Sequence, residues 1–169
     1  MGRTRIRNPA RRRAGHLNRI WVQRATRGGD IPLAPLLRAW AQAALRRVDV
    51  PGEVTIRIVN EREGAALNRD WRGRDYATNV LSFPLGDADS GPDAPLGDLV
   101  VCAPVVAREA AEQGKPVDAH WAHMVVHGAL HLAGLDHERD DEAEAMEALE
   151  AEILAGLGFS DPYEPREVA

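Results

Sequence analysis

The stretch HGALHLAGLDH, His127 to His137, sets three histidines and two glycines into eleven residues. On a helix, His127 and His131 stack one turn apart on the same face, close enough for both imidazoles to reach one ion. Gly134 suits the left-handed conformation that ends a helix and turns the chain back, which brings His137 round as a third ligand. Three neutral ring nitrogens suit Zn and leave a fourth position open for water, the arrangement of a catalytic rather than a structural site. Imidazoles also accept Ni or Cu, so the ligand set alone does not choose the metal. The alternative triplet His123, His127 and His131 fails, because eight residues of helix separate its ends by about 12 Å. His123 is therefore read as packing or as a support behind the ligands, and His120 as an ordinary surface histidine.

Working outward, strand and helix patterns alternate. Leu17 to Ala25 and Glu53 to Val59 alternate at period two, whereas Pro32 to Val48 is amphipathic at helical spacing. Asn60 with Glu63 forms a capping box for a helix running to about Trp71. TNVLSFPL and GDLVVCA (Gly97 to Ala103) read as a third and a fourth strand, joined by the surface loop GDADSGPDAPL. Pro104 suits the first turn of a helix that Gly114 ends, and Asp118 the N-cap of the helix carrying the histidines, with Val125, Val126, Leu130 and Ala133 at buried positions. An acidic helix from about Asp140 to Leu157 follows, with Met146, Leu149 and Ile153 on one face and its carboxylates read as a solvated face. The expected fold is a small mixed four-stranded sheet packed with helices, an α/β domain with a zincin-like helix and turn.

At 169 residues, 44% hydrophobic and 28% charged, the chain fits one soluble domain. A lone cysteine, Cys102, excludes an intramolecular disulfide and is read as a small buried hydrophobe. No apolar run approaches the ~20 residues of a membrane helix, and no signal-peptide pattern opens the chain, so a reducing, cytoplasmic location is expected. The net charge of −5 hides an asymmetry: residues 1–27 hold nine arginines and no acid, leaving 12 basic residues against 26 acids in the remainder. Affinity for nucleic acid must then be local rather than a matter of bulk charge. Residues 1–15 read as a basic, disordered extension, with an RNA-touching arm or a transit peptide as the other readings, and residues 16–169 as the single functional domain.

What the metal acts on turns on one position. The spacing matches the metalloprotease pattern H-E-x-x-H-x-x-G-x-x-H except at its second position, where Gly128 replaces the glutamate that serves as general base. Without it, peptide hydrolysis loses a step worth roughly 10² to 10⁴ in rate. Phosphodiester cleavage needs instead a Lewis acid and a cation for the charge that grows on phosphorus.

WRGRDYATNVLSFP (Trp71 to Pro84), LGDLVV (Leu96 to Val101), HMVVHGALHLAGLDH (His123 to His137) and DDEAEAMEALE (Asp140 to Glu150) together resemble the YbeY family of bacterial metal-dependent endoribonucleases, over about Leu17 to Tyr163. The resemblance implies a single-strand-specific endoribonuclease with one Zn(2+) per chain, acting in ribosomal RNA processing, notably maturation of the 16S rRNA 3′ end, and in ribosome quality control. Its implied partners are single-stranded RNA, ribosomal RNA and the small ribosomal subunit, with small-subunit proteins and a ribosome-assembly GTPase, and no membrane. By the same resemblance His127, His131 and His137 match the zinc ligands and Arg72 the catalytic arginine. Leu135 departs from the family, which often has Tyr there, and the Arg-rich first fifteen residues extend beyond its usual start.

Beside that resemblance, Arg72 lies where the second helix ends, just before the strand expected to border the metal, and a guanidinium clamps two phosphate oxygens while staying charged. Arg74 is a candidate for a neighbouring phosphate, with Asp75 as a competing partner. Asp136 precedes a ligand and is read as orienting an imidazole. Asn79 and Ser82 are candidates for RNA contact, with strand-end capping as their other reading. A metalloprotease-like hydrolase, or a ribosome-assembly factor whose metal only holds the fold, are the competing functions.

Overall fold

The computed structural model describes residues 17–28, 30–86, 91–135 and 138–164. The basic residues 1–15, Asp136 and His137 lie outside the described residues. Four strands, β1 (Ile20–Arg24), β2 (Glu53–Val59), β3 (Val80–Pro84) and β4 (Pro95–Cys102), alternate with five helices, α1 (Ala34–Arg47), α2 (Glu61–Arg72), α3 (Ala103–Glu112), α4 (Val117–Leu132) and α5 (Asp140–Gly156). The sheet order is β1-β2-β4-β3. β2 runs parallel to both β1 and β4, while β3 is an antiparallel edge strand that sets Ser82 opposite Leu99. This is the expected mixed four-stranded sheet.

Period-two patterning builds the layers. Val54, Ile56 and Ile58 of β2, with Leu99 and Val101 of β4, meet Leu37, Trp40 and Leu45 of α1 in the main core. Val59, Leu81, Val100, Cys102 and Val105 form a smaller cluster, against which Leu67 of α2 packs. Asn60 caps α2 by accepting from the Glu63 amide at 2.9 Å, but the Glu63 carboxylate pairs with Arg57 rather than closing the capping box. Among the described residues no helix is long and apolar enough to cross a membrane.

Helix α4 is the centre of the molecule. Eleven of its sixteen residues are buried, Val125, Val126 and Leu130 among them, so it is enclosed on most sides rather than amphipathic. Gly128 lets it approach the sheet: a Cβ there would lie 2.8 Å from Leu99 Cδ2 and 3.3 Å from Val80 Cγ2. The helix ends as expected at Gly134, whose φ of 96° disfavours any residue with a Cβ, while the Leu135 amide bonds the Leu130 carbonyl at 3.1 Å.

Two expectations about α4 are corrected. Its N-cap is Pro116, and Asp118 stands in the first turn, where its charge still favours the positive end of the helix dipole. His120 is not on the surface: it is buried, with Nε2 2.9 Å from Glu109 Oε1. Burial lowers its pKa, against the opposing pull of Glu109.

Candidate functional site

Helix α4 presents His127 and His131 one turn apart, as their spacing requires. Their Nε2 atoms face each other at 3.0 Å, with ring centroids 4.5 Å apart. Two nitrogens bound to a tetrahedral zinc at about 2.05 Å lie about 3.3 Å apart, so this pair fits such an ion with a shift of a few tenths of an ångström. Among the described residues no group of three or more His, Cys, Asp or Glu side chains is arranged to hold a metal. His137, the third ligand expected from the sequence, lies outside the described residues.

The two histidines face a cavity of about 740 Å³ whose lining includes Arg72, Arg74, Asn79 and Ser82. Arg72 is the last residue of α2, and its Nη2 donates to the Ser82 carbonyl at 3.0 Å. No carboxylate among the described residues pairs with it, so its charge is available to the cavity. Arg74 donates to the Tyr76 hydroxyl at 2.9 Å, while Asp75, the competitor expected for it, lies 3.9 Å from Arg69 instead. Asn79 lines the cavity but spends its side-chain amide on Glu109 at 2.9 Å, and its Oδ1 accepts from the Val80 amide. Ser82 Oγ donates to the Gly128 carbonyl at 3.3 Å, tying strand to helix.

Behind the histidines stands a residue the sequence reading assigned to solvent. Glu150 of α5 is fully buried, its Oε1 2.5 Å from His127 Nδ1 and its Oε2 3.0 Å from His123 Nε2. The Tyr163 hydroxyl also donates to Oε2. Burial pushes the Glu150 carboxyl up, but the hydrogen bonds from His123, His127 and Tyr163 outweigh it and hold the pKa at about 2. Burial and the bond to Glu150 push the Tyr163 phenol up. The signal was present: Met146, Glu150 and Ile153 fall at helical spacing on one face, all buried. A charged residue on an apolar stripe implies a buried partner.

The family model described as endoribonuclease YbeY matches residues 30–158. The chain is 60% identical to the endoribonuclease YbeY of Stutzerimonas stutzeri (strain A1501) over 136 residues, covering 80% of this chain and 85% of that one. It is 59% identical to the endoribonuclease YbeY of Pseudomonas putida (strain W619), covering 84% and 90%. In fold it is similar to the solution structure of TM1509 from Thermotoga maritima, with a TM-score of 0.55 and 26% identity, covering 86% of this chain and 99% of that one. With a family model over most of its length and relatives near 60% identity over about four fifths of the chain, the chain belongs to the YbeY endoribonuclease family.

Proposed function

We propose that this chain is a zinc-dependent endoribonuclease that cuts single-stranded RNA, acting in ribosomal RNA processing, notably at the 16S rRNA 3′ end, and in ribosome quality control. The observation that carries the reading is that two facing imidazole nitrogens, 3.0 Å apart, share one cavity with a guanidinium that no carboxylate among the described residues neutralises. His127 and His131 would hold the ion with His137, and Ni is the alternative metal. When bound, the ion supplies Lewis-acid stabilisation of the charge that grows on the phosphodiester.

The protein's own groups do the positioning. Arg72 binds the phosphate oxygens, its fork fixed over the cavity by the Ser82 carbonyl. Trp71 and Tyr76, both exposed beside Arg72 and Arg74, offer ring faces on which unpaired bases stack, and this favours single strands over the A-form duplex. Ribosomal RNA and the small ribosomal subunit, with its proteins and an assembly GTPase, are the partners we propose, in the cytoplasm. Gly128 argues against peptide hydrolysis, because the position where a protease carries its base is packed onto Leu99 and Val80.

The test is metal analysis of the purified chain together with end-mapping of an unstructured RNA exposed to wild type and to His131→Ala. The expected result is zinc and discrete cuts for wild type, and neither for the variant. Wild-type protein that holds no zinc, or RNA cut identically by both, overturns the reading.

A further inference from the structure

We propose that Glu150 is a positioning residue for the metal site, fixing His127 as the tautomer whose Nε2 lone pair faces His131, and that Tyr163 holds Glu150 in place. The inference rests on the zinc reading above.

An ionised carboxylate only accepts hydrogen bonds. Glu150 Oε1 lies 2.5 Å from His127 Nδ1, so a neutral His127 must carry its proton on Nδ1 and present an unprotonated Nε2 on the cavity side. The same carboxylate uses Oε2 for His123 Nε2 and for the Tyr163 hydroxyl. His123 therefore donates from Nε2, and its Nδ1 has no hydrogen-bond partner among the described residues. Being buried and bonded at both oxygens, Glu150 has no room to turn away from His127.

The support comes from separate parts of the chain. His123 and His127 stand on α4, Glu150 on α5, and Tyr163 beyond the end of α5, outside the residues 30–158 matched by the family model. A carboxylate behind a ligating imidazole both orients the ring and raises its basicity. What places it here is this chain's own packing: α5 packs against α4 so that one buried carboxylate bridges two histidines one turn apart.

The experiment measures zinc affinity by competition with a chromophoric chelator for the full chain, Glu150→Gln and Tyr163→Phe, and reads ring-nitrogen protonation of the zinc-free wild type by ¹⁵N NMR. Glu150→Gln should bind zinc about 10- to 100-fold more weakly, and Tyr163→Phe should weaken it by less. In the zinc-free wild type, His127 should be protonated at Nδ1. In Glu150→Gln the two His127 tautomers should mix, because an amide can turn either its oxygen or its N–H toward Nδ1, a change that loss of packing alone does not produce. Should Glu150→Gln fail to fold, the wild-type spectrum still decides, and a His127 protonated at Nε2 overturns the proposal. Wild-type zinc binding matched by Glu150→Gln overturns it while leaving the zinc reading intact. A wild type that takes up no zinc overturns both.

Discussion

Arg72 Nη2 donates to the Ser82 carbonyl at 3.0 Å, and through that bond an edge strand holds a guanidinium over the cavity faced by His127 and His131. Arg72→Ala should lower RNA cleavage by about 10²- to 10³-fold, the usual cost of losing one preorganised charge-stabilising donor, with zinc content unchanged. Arg72→Lys should recover only part of the rate, because a single ammonium cannot reproduce the bidentate fork. Single-turnover cleavage and metal analysis of the two variants check this. A Lys variant at full activity would show that charge alone suffices.

Trp71 is 69% exposed, and its ring meets that of Phe83 steeply inclined, at a centroid distance of 6.0 Å. Such a ring has little structural work, so Trp71→Ala should leave folding and zinc content near wild type. It should weaken single-stranded RNA binding by roughly 5- to 100-fold, the range for one base losing its stacking partner. Fluorescence anisotropy with an unstructured and a duplex RNA measures it, and equal losses on both would contradict stacking.

Gly128 sets how close α4 lies to the sheet. Gly128→Glu should create no peptidase, and overpacking against Leu99 and Val80 should cost about 1–3 kcal/mol or more. For a domain of this size that lowers Tm by roughly 2–12 °C. Thermal unfolding and a casein assay give both readings, and a variant that is stable and cuts casein would reinstate the protease.

Burial depresses the pKa of His120 below its ordinary 6.5, so the unfolded chain binds a proton there that the folded chain resists. Its contribution to stability is fully present above pH 6.5 and is lost as the pH falls through the lower folded value. Urea unfolding at pH 7.5 and 5.5 should therefore show a larger loss for wild type than for His120→Asn, whose side chain does not titrate. Equal losses would remove His120 from the acid response.

The strands and the His127–His131 pair were legible because their periods, two and four residues, are properties of local geometry. What escaped was set by contacts distant in sequence. His120 lies on a helix enclosed on most sides, which a surface reading of its own position does not anticipate. Glu150 reads as solvated because carboxylates usually are, although it shares the stripe of Met146 and Ile153; the partners that explain its burial, His123 and His127, stand on another helix. Asp118 and Pro116 show the uncertainty of one or two residues at a helix start, where several residues are acceptable caps.

The strand order leaves β3 with a single partner, β4. Asn79 and Leu85 bond β4 through their backbones, so the even-numbered residues of β3 turn their backbone groups outward. Along that margin the Val80 amide is taken by Asn79 Oδ1, the Ser82 carbonyl by Arg72, and Pro84 has no amide hydrogen to offer. An open margin of this kind recruits strands from other molecules. Here three of its pairing groups are taken or missing, one of them through Arg72, so the residue offered to phosphate also helps guard the protein against edge-to-edge association with its own copies.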